Sequence, residues 1–562
     1  MVAVGLANVS SNEHTFTCKE AVMVASSHVV LSGSERVRDP DSSVVGDLDP
    51  HQHVVVTISL SGPDLPGPDE MIGETLTPEE LAARFGASKA DADKVAASLR
   101  RFGLKVESVS LATRTMEVSG SAAQMEQAFK PHLKIMASAR DGQYRGRDGS
   151  LEIPSDLDGI VTGVFGLDQR RMARRAQPVA TQTATALHPQ TPADIEQHYH
   201  FPNGDCAGQK VAIAEFGGGY FASDTAAFCA KYQRVLPSVT VIGVDAPAYT
   251  LAQIQSLPLV KRQEAIEISG EVMMDVEIIA SLCPKAAITV YFSTWDQRGW
   301  IDLLNRVIAD RPVVVSISYG LAEDYSGWSA NALATINNAF NAARLLGITA
   351  CVSSGDDGSG AQMHDGTAHV AFPGSSPFVL SVGGTELKAT SSGTSERVWY
   401  EAPGERTQSG GGATGGGVSR IFPRPAFQDV HIASLNSGSI DGRVVPDVAA
   451  LAGDPLYDLI FLGHDSPNGG TSASAPVWAA LIARLNALLP PAKQQRFVTP
   501  LLYANGANGK PIGASALRDI TSGNNTTDPD PGRGYRATKG FDAVSGWGVP
   551  DGGKLLKALS TV

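Results

Sequence analysis

The octet Gly469-Gly470-Thr471-Ser472-Ala473-Ser474-Ala475-Pro476 precedes an apolar run, VWAALIARLNALL, with a helical pattern. A serine at a glycine-led turn into a helix has an exposed hydroxyl, and the helix N-terminus favours negative charge developing beside it. The competing reading is that Thr471, Ser472 or Ser474 only caps the helix. A nucleophilic serine needs a base. Carboxylates are prominent in Gly270-Glu271-Val272-Met273-Met274-Asp275-Val276-Glu277-Ile278, where Glu271 and Asp275 are four apart and share one helix face. An ExxxD pair alone is as well explained by a solvated acidic helix start. The flanking Val272, Met273, Met274, Val276, Ile278 and Ile279 argue for a buried helix, and buried acids need partners or a task. Glu271 is expected in the first helical turn, where the helix dipole favours it. A third element, Ser353-Ser354-Gly355-Asp356-Asp357-Gly358-Ser359, follows the strand-like ITACV. Such turns commonly just close a loop, and an aspartate donates a hydrogen bond only when protonated.

These residues need a scaffold. From about residue 191, the short β-branched runs KVAIAEFGGG, SVTVIGV, AAITVYFS, PVVVSISYG, ITACVSSGD and PFVLSVGG alternate with helical patterns. That alternation implies an α/β unit with a parallel sheet covered on both faces. Sites in such sheets form at the carboxyl ends of strands. Before it, QHVVVTISLSG reads as a strand. TPEELAARFG reads as a helix, with Thr77 and Glu80 forming a capping box. A second helix ends at Gly103, a hairpin covers 104–121, and SAAQMEQAFK is a third helix, so a compact α+β unit ends near residue 168. Residues 169–190, QRRMARRAQPVATQTATALHPQ, have no hydrophobic period and read as an exposed linker, easily cut.

The 562 residues imply two to four domains. With 43% apolar and 18% charged residues a large core is expected, and the net charge of −13 argues against a nucleic-acid partner. Cys18, Cys206, Cys229, Cys283 and Cys351 show neither zinc spacing nor a disulfide framework, although one or two bridges stay open. No run of 18 apolar residues is present, so no membrane span is expected. The triple glycines at 410–412 and 415–417 lack the GK[ST] or GxGxxG context of a phosphate loop. Asp519-Ile520 and Thr538–Asp542 pair carboxylates with loop carbonyls, a weak signal for a hard cation.

The octet resembles the nucleophile motif of subtilisin-like enzymes. Their base is a histidine in an HGTH-type motif. None of His198, His200, His364, His369, His431 or His464, nor His188 in the linker, lies in one. Taken with the Glu/Asp pair and the Ser-Gly-Asp turn, most of the chain resembles the sedolisin, or serine-carboxyl, peptidases, closest to their kumamolisin-type branch. AIAEFGGGY, SISYG, GGGVSRIFP and RVVPDVAA carry the likeness, and LTPEELAARFG and VSGSAAQMEQAF extend it to an activation propeptide.

The resemblance implies a subtilisin-like catalytic domain at 191–562, a ferredoxin-like α+β propeptide at 1–168 (ordered from about 50), and activation cleavage within 169–190. It implies Ser472 as nucleophile, Glu271 as base, Asp275 as the acid orienting it, and Asp356 as oxyanion donor. Glu215 and Tyr319 match an extended relay whose usual aromatic is tryptophan. Gly415, Gly416 and Gly417 become a flexible cleft rim whose amides pair with peptide. One structural Ca2+ would sit on Asp519, Asp542 and the carbonyls of Ile520, Thr538 and Gly540. In His369-Val370-Ala371-Phe372-Pro373, Ala371 replaces the acid that favours basic P1 residues in that branch, so no strong Arg/Lys preference is expected unless another acid such as Asp365 takes over. The implied protein is a self-activating, acid-active serine endopeptidase precursor. Its partners are protein or peptide substrates and its own propeptide as intramolecular inhibitor, and a monomer is expected. Secretion is implied, although the first 30 residues show no readable signal peptide; an intracellular proenzyme is the alternative. The rivals are a histidine-based neutral protease and a catalytically dead peptide-binding module.

Overall fold

The computed structural model describes residues 27–174, 187–391, 393–407, 410–527 and 533–562. Cys18 and the middle of the expected linker, 175–186, lie outside the described residues.

The N-terminal unit contains strand β1 (His53–Leu60), helices α1 (Pro78–Phe85) and α2 (Lys89–Arg100), strands β2 (Lys105–Ser110) and β3 (Thr115–Ser121), helix α3 (Ala122–Phe129) and strand β4 (Val161–Phe165). Its antiparallel sheet has the order β2-β3-β1-β4, a ferredoxin-like arrangement. Local chemistry starts the helices: the Thr77 hydroxyl accepts from the Glu80 N–H while the Glu80 carboxylate accepts from the Thr77 N–H, and Ser121 and Gln124 repeat the device at α3. Strand alternation does the rest. Val54, Val56 and Ile58 of β1 and Met116 and Val118 of β3 pack on Leu99 of α2 and on Met125 and Phe129 of α3.

The C-terminal unit is built on strands β5 (Lys210–Glu215), β6 (Ser238–Gly243), β7 (Ala287–Phe292), β8 (Val314–Ile317), β9 (Thr349–Ser353), β10 (Leu380–Thr390), β11 (Gly393–Val398) and β12 (Val448–Leu451). They form one eight-stranded sheet of order β6-β7-β5-β8-β9-β10-β11, with β12 paired to β10. All pairings are parallel except β10 with β11. Helices α4 (Leu259–Leu282) and α7 (Thr471–Leu488) cover one face, and α5 (Gln297–Asp310) and α6 (Ala330–Leu345) cover the other. Val211 and Ile213 of β5 pack with Val272 and Ile279 of α4 and Leu481 of α7, whereas Ala212 and Ala214 pack with Trp300 and Leu304 of α5 and Phe340 of α6. Burial on both faces explains the near-continuous apolar strands.

The polar face of the N-terminal sheet sits on α5. The Thr57 hydroxyl donates to Asp302 (2.8 Å), and Arg298 lies 3.3 Å from Glu117 and 2.9 Å from Asp302. Cys206, Cys229, Cys283 and Cys351 are buried thiols, so the described residues contain no disulfide. Among the described residues no helix is long and apolar enough to cross a membrane.

Candidate active site

The Ser472 backbone lies in the first turn of α7, behind Gly470, whose φ of +96° forms the entry to the helix. No side chain of the octet caps this helix, whose N-cap is Gly470 and whose Thr471 N–H donates to Asp356, so the capping explanation for the serines fails. The Thr471 hydroxyl donates to Asp356 (2.7 Å), and the Ser474 hydroxyl donates to the carbonyls of Ala450 and Leu451. The Ser472 hydroxyl has only a long contact, 3.4 Å to the Ser318 carbonyl. It is the serine of the octet held most loosely.

Glu271 and Asp275 share a face of α4, and both are buried. The helix begins at Leu259, twelve residues before Glu271, so the first-turn expectation is corrected. Its exposed N-terminal half, rich in Lys, Arg, Gln and Glu, is continuous with the buried half. Glu271 therefore draws nothing from the helix terminus, whose field fades within a turn. The strand ends supply the other groups. Ser318 and Tyr319 follow β8, Glu215 ends β5, and Asp356 follows β9. The Ser318 hydroxyl donates to Asp275 (2.7 Å) and reaches the Ser472 carbonyl at 3.2 Å, linking the acid helix to the nucleophile helix. Ser318 escaped the sequence reading, although it stands beside Tyr319 in SISYG. The Tyr319 hydroxyl donates to Glu215 at 2.8 Å, so tyrosine makes the relay contact.

Burial, with the charge of Glu271 added, pushes the Glu215 carboxyl well up, against the Tyr319 hydrogen bond. Asp275 is pushed well up by burial and by the charges of Glu215 and Glu271, against the bond from Ser318. Three acids in one dry pocket share one another's repulsion. Burial also raises Asp356, opposed by Arg406 and by two hydrogen bonds from Thr471.

His369 lines the cleft, but Asp324 holds its Nδ1 and Asp365 its Nε2, both at 2.8 Å. Burial pulls its pKa down, yet the two carboxylates prevail and raise it. Both ring nitrogens of His369 are thereby engaged by carboxylates and turned away from a serine proton.

The cleft of about 550 Å³ beside Ser318 and Asp356 is lined by Gly320, Ala371, Asp357 and Arg174. Its acids are Asp356 and Asp357, whereas Asp365 is tied to His369. Arg174, at the end of the N-terminal unit's tail, lines this cleft, and Met172 is anchored just before it. Met172 N–H donates to the Trp295 carbonyl (2.6 Å), the Trp300 indole donates to the Met172 carbonyl (2.7 Å), and Gly320 N–H donates to the Arg174 carbonyl (3.0 Å). The Arg174 guanidinium lies 3.9 Å from Asp357.

The glycines at 415–417 are buried and closely packed. Gly415 N–H donates to the Gly355 carbonyl (2.7 Å), Asn525 donates to the Gly416 carbonyl (3.1 Å), and Gly417 pairs with Val445. A Cβ at Gly415 would lie 2.0 Å from the Ser354 carbonyl oxygen. Gly540 N–H donates to Asp519 (2.8 Å) and Thr538 N–H to Asp542 (2.9 Å), so one turn joins both carboxylates. Ile520 follows Asp519 and is buried.

The fold, the nucleophile turn and the occupied cleft define a serine-type peptidase carrying its own activation domain. Residues 40–170 match the Pro-kumamolisin activation domain, and residues 266–531 match the subtilase family. The chain is 35% identical over 559 residues to kumamolisin of Bacillus sp. (strain MN-32), covering 94% of this chain and 96% of that protein. It is 28% identical over 441 residues to tripeptidyl-peptidase 1 of Homo sapiens, covering 73% of this chain and 72% of that one. Pseudomonas sedolisin, a serine-carboxyl proteinase solved with pseudo-iodotyrostatin, aligns with a TM-score of 0.55 at 26% identity, over 66% of this chain and 97% of its own. The chain belongs to the sedolisin family of serine-carboxyl peptidases.

Proposed function

We propose that the chain is the precursor of a secreted, monomeric, acid-active endopeptidase that removes its own propeptide. The observation that carries this reading is the seating of Arg174 in the cleft beside Ser318 and Asp356, its carbonyl on the Gly320 N–H and its guanidinium by Asp357. Main-chain pairing of this kind holds an extended peptide without regard to most side chains. In this reading Ser472 attacks the scissile carbonyl and Glu271 takes its proton, later returning it to the leaving amine. Asp275, held by Ser318, orients Glu271, and Glu215 with Tyr319 extends the relay. The oxyanion is met by the Ser472 backbone N–H and by protonated Asp356. Water then hydrolyses the acyl-enzyme through the same groups.

Acidifying the purified precursor should release a fragment of about 40 kDa whose N-terminus falls within 169–195, which is itself endoproteolysis. The Ser472→Ala precursor should stay at full length. Processing of that variant, free of other proteases, contradicts self-cleavage.

The donor set at Asp519, Asp542 and the carbonyls of Ile520, Thr538 and Gly540 is all hard oxygen on adjoining loops, which fits Ca2+. Bound calcium would neutralise the two carboxylates and tie the loops together. A ligand that binds only the folded state stabilises it by about 2.7 kcal/mol at a hundredfold excess over Kd. Chelation, or Asp519→Ala, should therefore lower the Tm, and an unchanged Tm in both cases removes the site.

A further inference from the structure

Asp356 is surrounded by donors. Its Oδ1 accepts from the Thr471 N–H (2.8 Å) and the Thr471 hydroxyl (2.7 Å), and its Oδ2 accepts from Arg406 Nη2 (3.1 Å). Both side chains of the ion pair are buried, Arg406 at 3% and Asp356 at 0% exposure. The pair is built into the fold. The Arg406 guanidinium lies over the Trp399 ring, 4.8 Å from its centre, and the Arg406 N–H donates to Asp357 (2.8 Å). Two glycines make room for it. A Cβ at Gly470 would lie 2.4 Å from Asp356 Oδ2 and 3.4 Å from Arg406 Nη2, and one at Gly412 would lie 3.0 Å from Arg406 Nε.

An acid that must donate to an oxyanion needs its proton, and here each carboxyl oxygen faces N–H or O–H donors that want a carboxylate. For Asp356 to take up a proton from solvent, one oxygen must turn from acceptor to donor, and the attraction between the carboxylate and the guanidinium is lost. We propose that Arg406 is a positioning residue that holds Asp356 ionised outside acid conditions, and thereby sets the upper pH limit of catalysis. This rests on Asp356 being the oxyanion donor. The other groups that bear on the pair are Thr471 from α7, Asp357 on the same turn, the propeptide's Arg174 beside Asp357, and Glu401, whose own carboxyl is influenced by Arg406. Burial is the largest influence on Asp356 and raises its pKa, and Arg406 is the largest opposing one. The consequence is an acid gate within the catalytic centre, separate from propeptide release.

The test is kcat/KM on one neutral peptide across the pH range, using matured wild type, Arg406→Gln, Arg406→Lys, and Arg406→Gln combined with Asp356→Asn. An opposite charge at this range lowers a carboxyl by about one to three pH units, so the alkaline limb of Arg406→Gln should move up by about one unit or more. Arg406→Lys, which keeps the charge, should stay close to wild type. In the Asp356→Asn background, Arg406→Gln should move nothing. If Arg406→Gln does not mature, Arg406→Met, which keeps the stem on Trp399, carries the same expectation. A wild-type acid optimum with an unmoved limb in the uncharged variant overturns this inference alone, as does a limb displaced as far by lysine as by glutamine. A neutral wild-type optimum overturns the acid reading and this inference together.

Discussion

Glu271→Gln and Asp275→Asn are each expected to lower kcat/KM by on the order of 10⁴-fold or more, as losses from a catalytic unit do. Ser472→Ala should do the same. The expected cause is chemical and not structural. Both acids are buried, and the amides match them in shape. At Asp275 an asparagine oxygen still accepts from the Ser318 hydroxyl that now lies at 2.7 Å. Each variant exchanges one buried acid for an amide of the same shape, so the fold should survive, as unchanged circular dichroism and Tm would show. What is lost is the group that takes the proton of Ser472. His369→Ala is the informative control, because His369 lines the cleft but has both ring nitrogens on carboxylates. If His369→Ala were as damaging to turnover as Ser472→Ala while Glu271→Gln stayed mild, the base would be the histidine.

The second large effect is on the pH profile of Asp356→Asn. The proposed mechanism requires a proton on Asp356 and a vacancy for one on Glu271. Ordinary values are about 3.9 for Asp and 4.3 for Glu, so both demands are met only in a narrow acid window. Burial raises Asp356, and a raised pKa keeps the donor proton to higher pH, which moves the alkaline limb up. Burial and neighbouring charge push Glu215 and Asp275 up in the same direction, so each keeps its proton to higher pH than a free carboxyl. Above the window Asp356 is an anion facing an oxyanion. An asparagine donates at every pH, so the activity that survives Asp356→Asn should extend to higher pH than wild type after equal maturation. Coincident alkaline limbs would remove Asp356 from the oxyanion hole.

Much of this was legible because local pattern and burial agree. The Thr77/Glu80 capping box, the β-branched runs of β5, β8 and β9, and the octet at Ser472 each appear where their chemistry requires. The start of α4 was hidden because its first half is solvated and polar while its second half is buried, so no single period runs through it. Arg406 was hidden for a different reason. It stands in an irregular loop fifty residues beyond its partner, and no spacing rule connects a loop arginine to an aspartate that distant. The glycines at 415–417 look mobile in sequence because they lack side chains. In the fold that same lack lets backbone meet backbone at Ser354 and Gly355.

The central claim is that a carboxyl group, and not a histidine, serves Ser472. The most direct test is kcat/KM of the matured wild-type enzyme on one neutral peptide from about pH 2 to 9. An optimum near pH 3–5, with activity falling as Asp356 ionises, is the expected result. A histidine base would put the acid limb at about pH 6–7, and an optimum at or above pH 7 would contradict the carboxyl assignment.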